Sequence, residues 1–154
     1  MNVYYLDSSA LVKRYVTETG SAWLRTLTAA TSHNPVVIAR IAWVEVVAAL
    51  ARRQREGTLA RQDLLEVIRR FRYHLDTQYQ VVELDGPLAE LAGELVMHHP
   101  LRAYDAVQLA AAEQVQADLA RAQGPVLTFV SADDRLLSVA QAEGLSTDNP
   151  NLHP

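Results

Sequence analysis

Four short runs of apolar, β-branched and aromatic residues punctuate the chain, with longer helical patterns between them. This alternation constrains the fold more than any other feature. The runs are residues 3–6, 35–39, 80–84 and 126–130. Each is largely apolar and bounded by turn-type residues, as strands buried on both faces of a parallel sheet are. Between them, Leu64, Leu65, Ile68, Phe71 and Leu75 mark one face of an amphipathic helix. Pro87 suits a first helical turn, and Leu88, Leu91, Ala92, Leu95 and Val96 carry that stripe until Pro100 stops it. A long alanine-rich helix runs from about residue 102 to residue 122 and ends before Gly124-Pro125. Strands alternating with helices make βαβ units, so the fold class is α/β: a central, mostly parallel sheet of four to five strands with helices on both faces. At 154 residues the chain has the length of one domain, 1–154. Residues 145–154 lack a strong strand pattern and read as a tail or an edge strand.

Composition narrows the chemistry. Apolar residues at 49% and charged residues at 21% are globular values, which excludes a disordered chain. The absence of cysteine excludes a disulfide framework, a thiolate metal site and a cysteine nucleophile, and it fits a cytoplasmic location. The N-terminus carries no signal-peptide pattern. The longest mostly apolar stretch, residues 36–51, is 16 residues long and contains Arg40 and Glu45, so no membrane span is expected. The five histidines (His33, His74, His98, His99, His153) lack the i, i+4 pairing of a helical zinc site and read as surface residues. No glycine-rich phosphate loop is present.

Ligands of open parallel sheets bind beyond the carboxyl ends of the strands, which directs attention to the acids there. Asp7 follows the first strand, and Asp133 and Asp134 follow the fourth after two residues. Each has an ordinary explanation: Asp7 or Ser8 as a helix cap, and Ser131 with Asp134 as a capping box. Glu45 lies among Ile41, Ala42, Ala48 and Ala49, an apolar setting that penalises a bare carboxylate, although a solvated stripe Glu45–Arg52–Glu56 is the alternative. Asp105 falls in the first turn of the long helix, where the dipole alone would favour it. All four ordinary explanations must hold together if Asp7, Glu45, Asp105 and Asp133 do not share one pocket. Clustered carboxylates without His or Cys are hard-oxygen donors suited to Mg²⁺ or Mn²⁺, and their chemistry is phosphoryl transfer. Net charge is −4, with 18 acids against 14 bases, and gathering four acids at a cation would leave the remainder neutral. Thirteen of the bases are arginine, suited to phosphate by their fork. Arg102, one turn before Asp105, is the leading phosphate or site-supporting contact, with Lys13 and Arg14 second. The runs at Arg52 to Arg55 and Arg69 to Arg72 read mainly as solvated helix faces.

Leu6-Asp7-Ser8-Ser9-Ala10-Leu11-Val12-Lys13-Arg14-Tyr15 resembles the opening motif of PIN-domain ribonucleases of the VapC toxin type. Glu45 in Trp43-Val44-Glu45-Val46 resembles their second acid. Tyr104-Asp105-Ala106-Val107-Gln108-Leu109-Ala110 is similar to their third, and Ser131-Ala132-Asp133-Asp134-Arg135-Leu136 to their fourth, in a register that selects Asp133 over Asp134. The resemblance runs from Val3 to about Gly144. It implies a PIN-like domain acting as a Mg²⁺- or Mn²⁺-dependent endoribonuclease, with one or two ions. Asp7, Glu45 and Asp105 would be the main ligands, Asp133 would be peripheral or act through water, and Ser9 would hydrogen-bond within the site. It also implies the toxin half of a type II toxin–antitoxin pair, a small antitoxin that blocks the site, and a homodimer. The alternatives are a catalytically silent PIN-like binding module and a structure-selective DNA nuclease.

Overall fold

The computed structural model describes residues 2–154. Five strands, Val3–Leu6 (β1), Val36–Ala39 (β2), Gln80–Val82 (β3), Leu127–Val130 (β4) and Ser146–Asp148 (β5), form one sheet in the order β3-β2-β1-β4-β5. Every pairing is parallel, with Tyr5 opposite Val37 on one side and Phe129 on the other. Among the described residues seven helices connect them: Ser8–Tyr15 (α1), Ser21–Leu27 (α2), Ile41–Arg55 (α3), Arg61–Thr77 (α4), Gly86–His98 (α5), Ala103–Arg121 (α6) and Asp134–Ala142 (α7). Short 3-10 turns occupy Ala30–Ser32 and Pro150–Leu152.

The two-residue period of the strands divides the core. Val3, Tyr5, Val37, Ala39, Leu127 and Phe129 face α5, α6 and α7. Leu6, Val36, Ile38 and Val130 face α1 to α4, where Leu11, Leu24, Leu50 and Phe71 close the layer. Tyr5 and Phe129 stack at 5.6 Å on the first face, and each such buried side chain contributes about 1.5–3 kcal/mol. Alanine dominates the buried side of α6 (Ala106, Ala110, Ala111, Ala112), which lets this helix lie close to the sheet and to α5.

The four sequence-derived strands are present, β1 with the expected bounds and the other three shortened by one or two residues at an end. Residues 145–154, read as a tail or an edge strand, supply the edge strand: β5 pairs in parallel with β4, and Ser131 N–H donates to Asp148 C=O at 3.2 Å. Its residues are Ser, Thr and Asp because it is an edge, half open to solvent, and needs no apolar pattern. The segment after it folds back on α2. Gly20, at φ +88°, would place any Cβ 2.3 Å from Pro150 C=O, and Trp23 stacks on His153 at 4.1 Å. β2 and β3 extend the sheet from one side of β1 while β4 adds on the other, so the chain reverses its winding between β1 and β4. In open α/β sheets this is where a crevice opens at the carboxyl ends of the strands.

Candidate active site

Asp7 sits at that crevice, directly after β1, and its carboxylate is fully committed to donors. Oδ1 accepts from Ala10 N–H (2.9 Å) and from Ser9 Oγ (2.7 Å), and Oδ2 accepts from Ser131 Oγ (2.6 Å). The capping explanation is therefore correct for Asp7, yet it covers only one of the three bonds. Burial pushes Asp7 up from the ordinary 3.8 to about 6; the Ser131, Ala10 and Ser9 bonds hold it down, and Glu45 pushes it further up. Ser9, expected to bond within the site, joins the two loops: it donates to Asp7 and accepts from Ala132 N–H at 2.9 Å.

Ser131 corrects the capping-box reading. The cap of α7 is Asp133, whose Oδ1 accepts from Arg135 N–H (2.9 Å) and Leu136 N–H (3.4 Å). Ser131 is instead buried and turned to Asp7 across the β1–β4 junction. Asp134, set aside by register, is exposed and accepts from Asn149 Nδ2 at 2.8 Å, which ties α7 to the C-terminal segment.

Glu45, on the second turn of α3, is half-buried and does not belong to the exposed stripe of Arg52 and Glu56. Its Oε1 accepts from Ser8 Oγ (2.9 Å) and from Gln108 Nε2 (2.8 Å). Gln108 also donates to Ser8 Oγ at 3.0 Å, and its own carbonyl accepts from Tyr5 O–H at 2.7 Å. Tyr5 and Gln108 are both buried, so the tyrosine fixes which end of the amide faces Glu45. Sequence reasoning missed Gln108, Ser8 and Ser131. The available signal for Gln108 was its place three residues after Asp105, a polar residue among the alanines and leucines that α6 buries.

Asp105 and Asp133 share a pocket of about 140 Å³ with Arg102 and Arg135. Burial raises the Asp105 pKa, as do Asp133 and then Glu45, against the pull of Arg102 and Arg135. The Asp105 carboxylate accepts no hydrogen bond from the described residues. Arg102 is exposed and opens α6 without a side-chain cap, which leaves its guanidinium free at the pocket. The second-choice cations are engaged elsewhere: Lys13 is buried and pairs with Glu18 at 3.5 Å, and Arg14 bonds Gln78 and Tyr79. Of the histidines, three depart from the surface reading and are half-buried: His74 bonds Tyr15 O–H at 2.8 Å, His99 bonds Glu143 at 2.6 Å and His153 bonds Asp148 at 2.8 Å.

The structure thus links Asp7 to Ser9 and Ser131, Glu45 to Ser8 and Gln108, and Asp105 to Asp133 by a shared pocket. Glu45 acts electrostatically on both Asp7 and Asp105. Among the described residues no three His, Asp or Glu side chains are drawn tightly enough together to hold a metal ion as they stand. Repelling carboxylates settle on hydroxyl, amide and helix-cap donors instead. The donor set itself fits a hard divalent cation, being carboxylate and hydroxyl oxygen throughout, with two acids whose pKa values are raised by crowding and burial.

Residues 4–142 match the family model described as PIN domain. The chain is 33% identical to Ribonuclease VapC45 of Mycobacterium tuberculosis (strain CDC 1551 / Oshkosh) over 154 residues, covering all of both chains, and equally to Ribonuclease VapC49 of strain ATCC 25618 / H37Rv. Its fold is similar to that of the sarcin-ricin loop cleaving toxin VapC20 of M. tuberculosis, with a TM-score of 0.63 at 15% identity over 98% of this chain and 99% of that one. It is similar also to a chain of VapBC2 from Rickettsia felis bound to a promoter DNA fragment, with a TM-score of 0.60 at 14% identity over 96% and 98%.

Proposed function

We propose, from the premise that this chain belongs to the PIN-domain family and to its VapC ribonuclease group, that it is a Mg²⁺- or Mn²⁺-dependent endoribonuclease acting as the toxin of a type II toxin–antitoxin pair. The observation that carries the reading is electrostatic. Four acids from four separate elements act on one another at a single rim, Glu45 on Asp7 and Asp105, and Asp133 on Asp105. Structural roles alone would not gather them where Glu45 pushes up the pKa of Asp7, and Asp133 and Glu45 that of Asp105.

Asp7, Glu45 and Asp105 would hold the ion, with Asp133 at the periphery or acting through water. The cation would supply charge neutralisation at the scissile phosphate and activation of water. The chain's own residues prepare the rest. Ser9 and Ser131 fix both oxygens of Asp7, so this ligand is oriented before anything binds. Gln108 and Ser8 hold Oε1 of Glu45, and among the described residues Oε2 has no hydrogen-bond donor. Arg102 would meet a phosphate oxygen at the mouth of the pocket it shares with Asp105. With water as nucleophile, the P–O3′ bond breaks and the 3′-oxygen leaves with a proton, giving 5′-phosphate and 3′-hydroxyl ends.

The same reading makes residues 1–154 one nuclease domain, its location cytoplasmic, its form a homodimer and its partner a small antitoxin. Relatives named as ribonucleases and a structural neighbour named as a toxin–antitoxin complex support the nuclease and antitoxin parts of it. Among the described residues no helix is long and apolar enough to cross a membrane.

The test is cleavage of total RNA by antitoxin-free protein with Mg²⁺ or Mn²⁺, with EDTA, and with Asp105→Asn. Discrete fragments with 5′-phosphates that vanish in EDTA and in the variant are expected. Fragments ending in 2′,3′-cyclic phosphate would exclude water as nucleophile. Folded protein that binds RNA or a partner and cuts nothing would make the chain a silent PIN-like module.

A further inference from the structure

A second pocket, of about 170 Å³, lies between α1, α2 and α4 and is lined by Arg14, Tyr15, Arg25, Arg70 and His74. No acid lines it. Arg40, Arg53, Arg69 and Arg121 each pair with a carboxylate, whereas Arg14, Arg25 and Arg70 form no ion pair among the described residues. Arg14 is also rigidly presented. Its guanidinium donates to Gln78 Oε1 at 2.9 Å and to the buried Tyr79 hydroxyl, which bonds Tyr15 O–H at 2.6 Å, and that hydroxyl in turn meets His74 Nδ1. Arg25 is braced by Arg14 C=O (3.2 Å) and Thr17 Oγ1 (2.9 Å). The positive charge registers on the neighbour: burial and then Arg14 and Arg70 push His74 down to about 4.

Beside the pocket, Tyr73 is exposed and lies 5.9 Å from the His74 ring. A cationic cavity of phosphate size next to an open aromatic face is the combination that seats single-stranded nucleic acid, with phosphate on arginine forks and a base on the ring. An acidic peptide would use the arginines and leave Tyr73 without a purpose. Arg14 lies in the last turn of α1, about 10 Å along the helix from Asp7, and bonds Tyr79, which directly precedes β3, so the pocket lies toward the amino ends of the strands, away from the acidic rim. A chain of net charge −4 with an acidic cutting rim repels its own substrate and needs such a foothold elsewhere.

We propose that the pocket between α1, α2 and α4 seats a phosphate of the single-stranded RNA substrate while Tyr73 stacks on an adjoining base, a docking site separate from the acidic rim. The proposal rests on the ribonuclease reading above. It also changes the sequence-level view of the α4 arginines. Arg69 pairs with Glu66 and Arg72 lies 3.9 Å over the Trp43 ring, which leaves Arg70 for the pocket.

The test uses full-length Asp105→Asn protein in EDTA and a fluorescent single-stranded oligouridylate, read by anisotropy across a salt series. Arg25→Ala with Arg70→Ala, both exposed positions, is expected to weaken binding at least about tenfold and to reduce the log–log salt slope by about 0.7, one single-strand phosphate contact. Tyr73→Ala is expected to weaken binding about tenfold with the slope unchanged. In protein with its acids intact, the same substitutions raise KM and leave kcat as it was. Unaltered affinity and slope in variants that melt like the parent would overturn the proposal. An oligoglutamate that binds more tightly than the RNA, in an arginine-dependent and Tyr73-independent way, would also overturn it and assign the pocket to an acidic protein segment. If the parent cuts RNA while binding ignores the arginines, this pocket is refuted and the nuclease reading survives. If the parent cuts nothing while binding depends on both features, the nuclease reading fails and the docking site remains.

Discussion

Removing the charge of Asp7 should stabilise the metal-free protein, although Asp7 is the best-ordered acid of the site. Burial raises this carboxyl from 3.8 to about 6 in the folded chain, so the unfolded chain gives up its proton more readily. A folded pKa above the unfolded one contributes stability that is fully present below the unfolded value and is lost as pH rises through the folded value. At about 1.36 kcal/mol per unit, the ionised Asp7 costs about 3 kcal/mol near pH 7.5 and about 0.5 kcal/mol near pH 4. Asp7→Asn removes this cost and keeps the hydrogen bonds: the amide oxygen still accepts from Ala10 N–H and Ser9, and Ser131 Oγ turns to accept from the amide nitrogen. Thermal melts in EDTA should therefore place the variant about 6–12 °C above the parent near pH 7.5, at 2–4 °C per kcal/mol, with little difference near pH 4. The reasoning is refuted if the variant melts at or below the parent near neutrality, or if the gap does not shrink with acid. Saturating Mg²⁺ should narrow the gap, because only the parent gains by binding it.

Three further outcomes test the supporting groups. Gln108→Leu strands the Tyr5 hydroxyl in the core and removes a donor from Glu45, so urea unfolding should show a loss of about 2–4 kcal/mol, and RNA cleavage should fall more than the folded fraction does. Ser131→Ala deletes the strongest hydrogen bond holding down the Asp7 pKa; an NMR titration in EDTA should place that carboxyl above its parent value of about 6. Gly20→Ala forces a Cβ against Pro150 C=O at a positive φ, and should cost about 1–3 kcal/mol in denaturant melts while cleavage by the folded fraction is unchanged.

The sequence was most legible where one physical demand acted alone. β1 and β4 lie in the sheet interior, so continuous apolar runs marked them, and the amphipathic stripe of α4 marked its buried face. β5 was legible only as a choice between tail and edge strand, because an edge strand of Ser-Thr-Asp satisfies its backbone without burying side chains. At the site, the acids stood out as charges in apolar company, whereas their supports did not. Ser131 carries the signature of a helix cap, and only the approach of β1 to β4 turns it toward Asp7. Gln108 looked like a lone polar residue in an alanine-rich helix, and its role depends on Tyr5, 103 residues away. Local pattern cannot report a partner brought close by topology.

The bond between Ser131 and Asp7 spans 124 residues of chain. At about 5–20 residues per second of synthesis, the ribosome needs roughly 6–25 s to make what separates them. Until β4 has emerged and inserted beside β1, Asp7 has no ceiling of hydroxyls and α7 has not delivered Asp133. Asp7 and Asp133 therefore reach their places at the rim only with about the last fifth of the chain. On the proposed ribonuclease reading, this order of assembly acts as a safety interval built into the winding of the sheet.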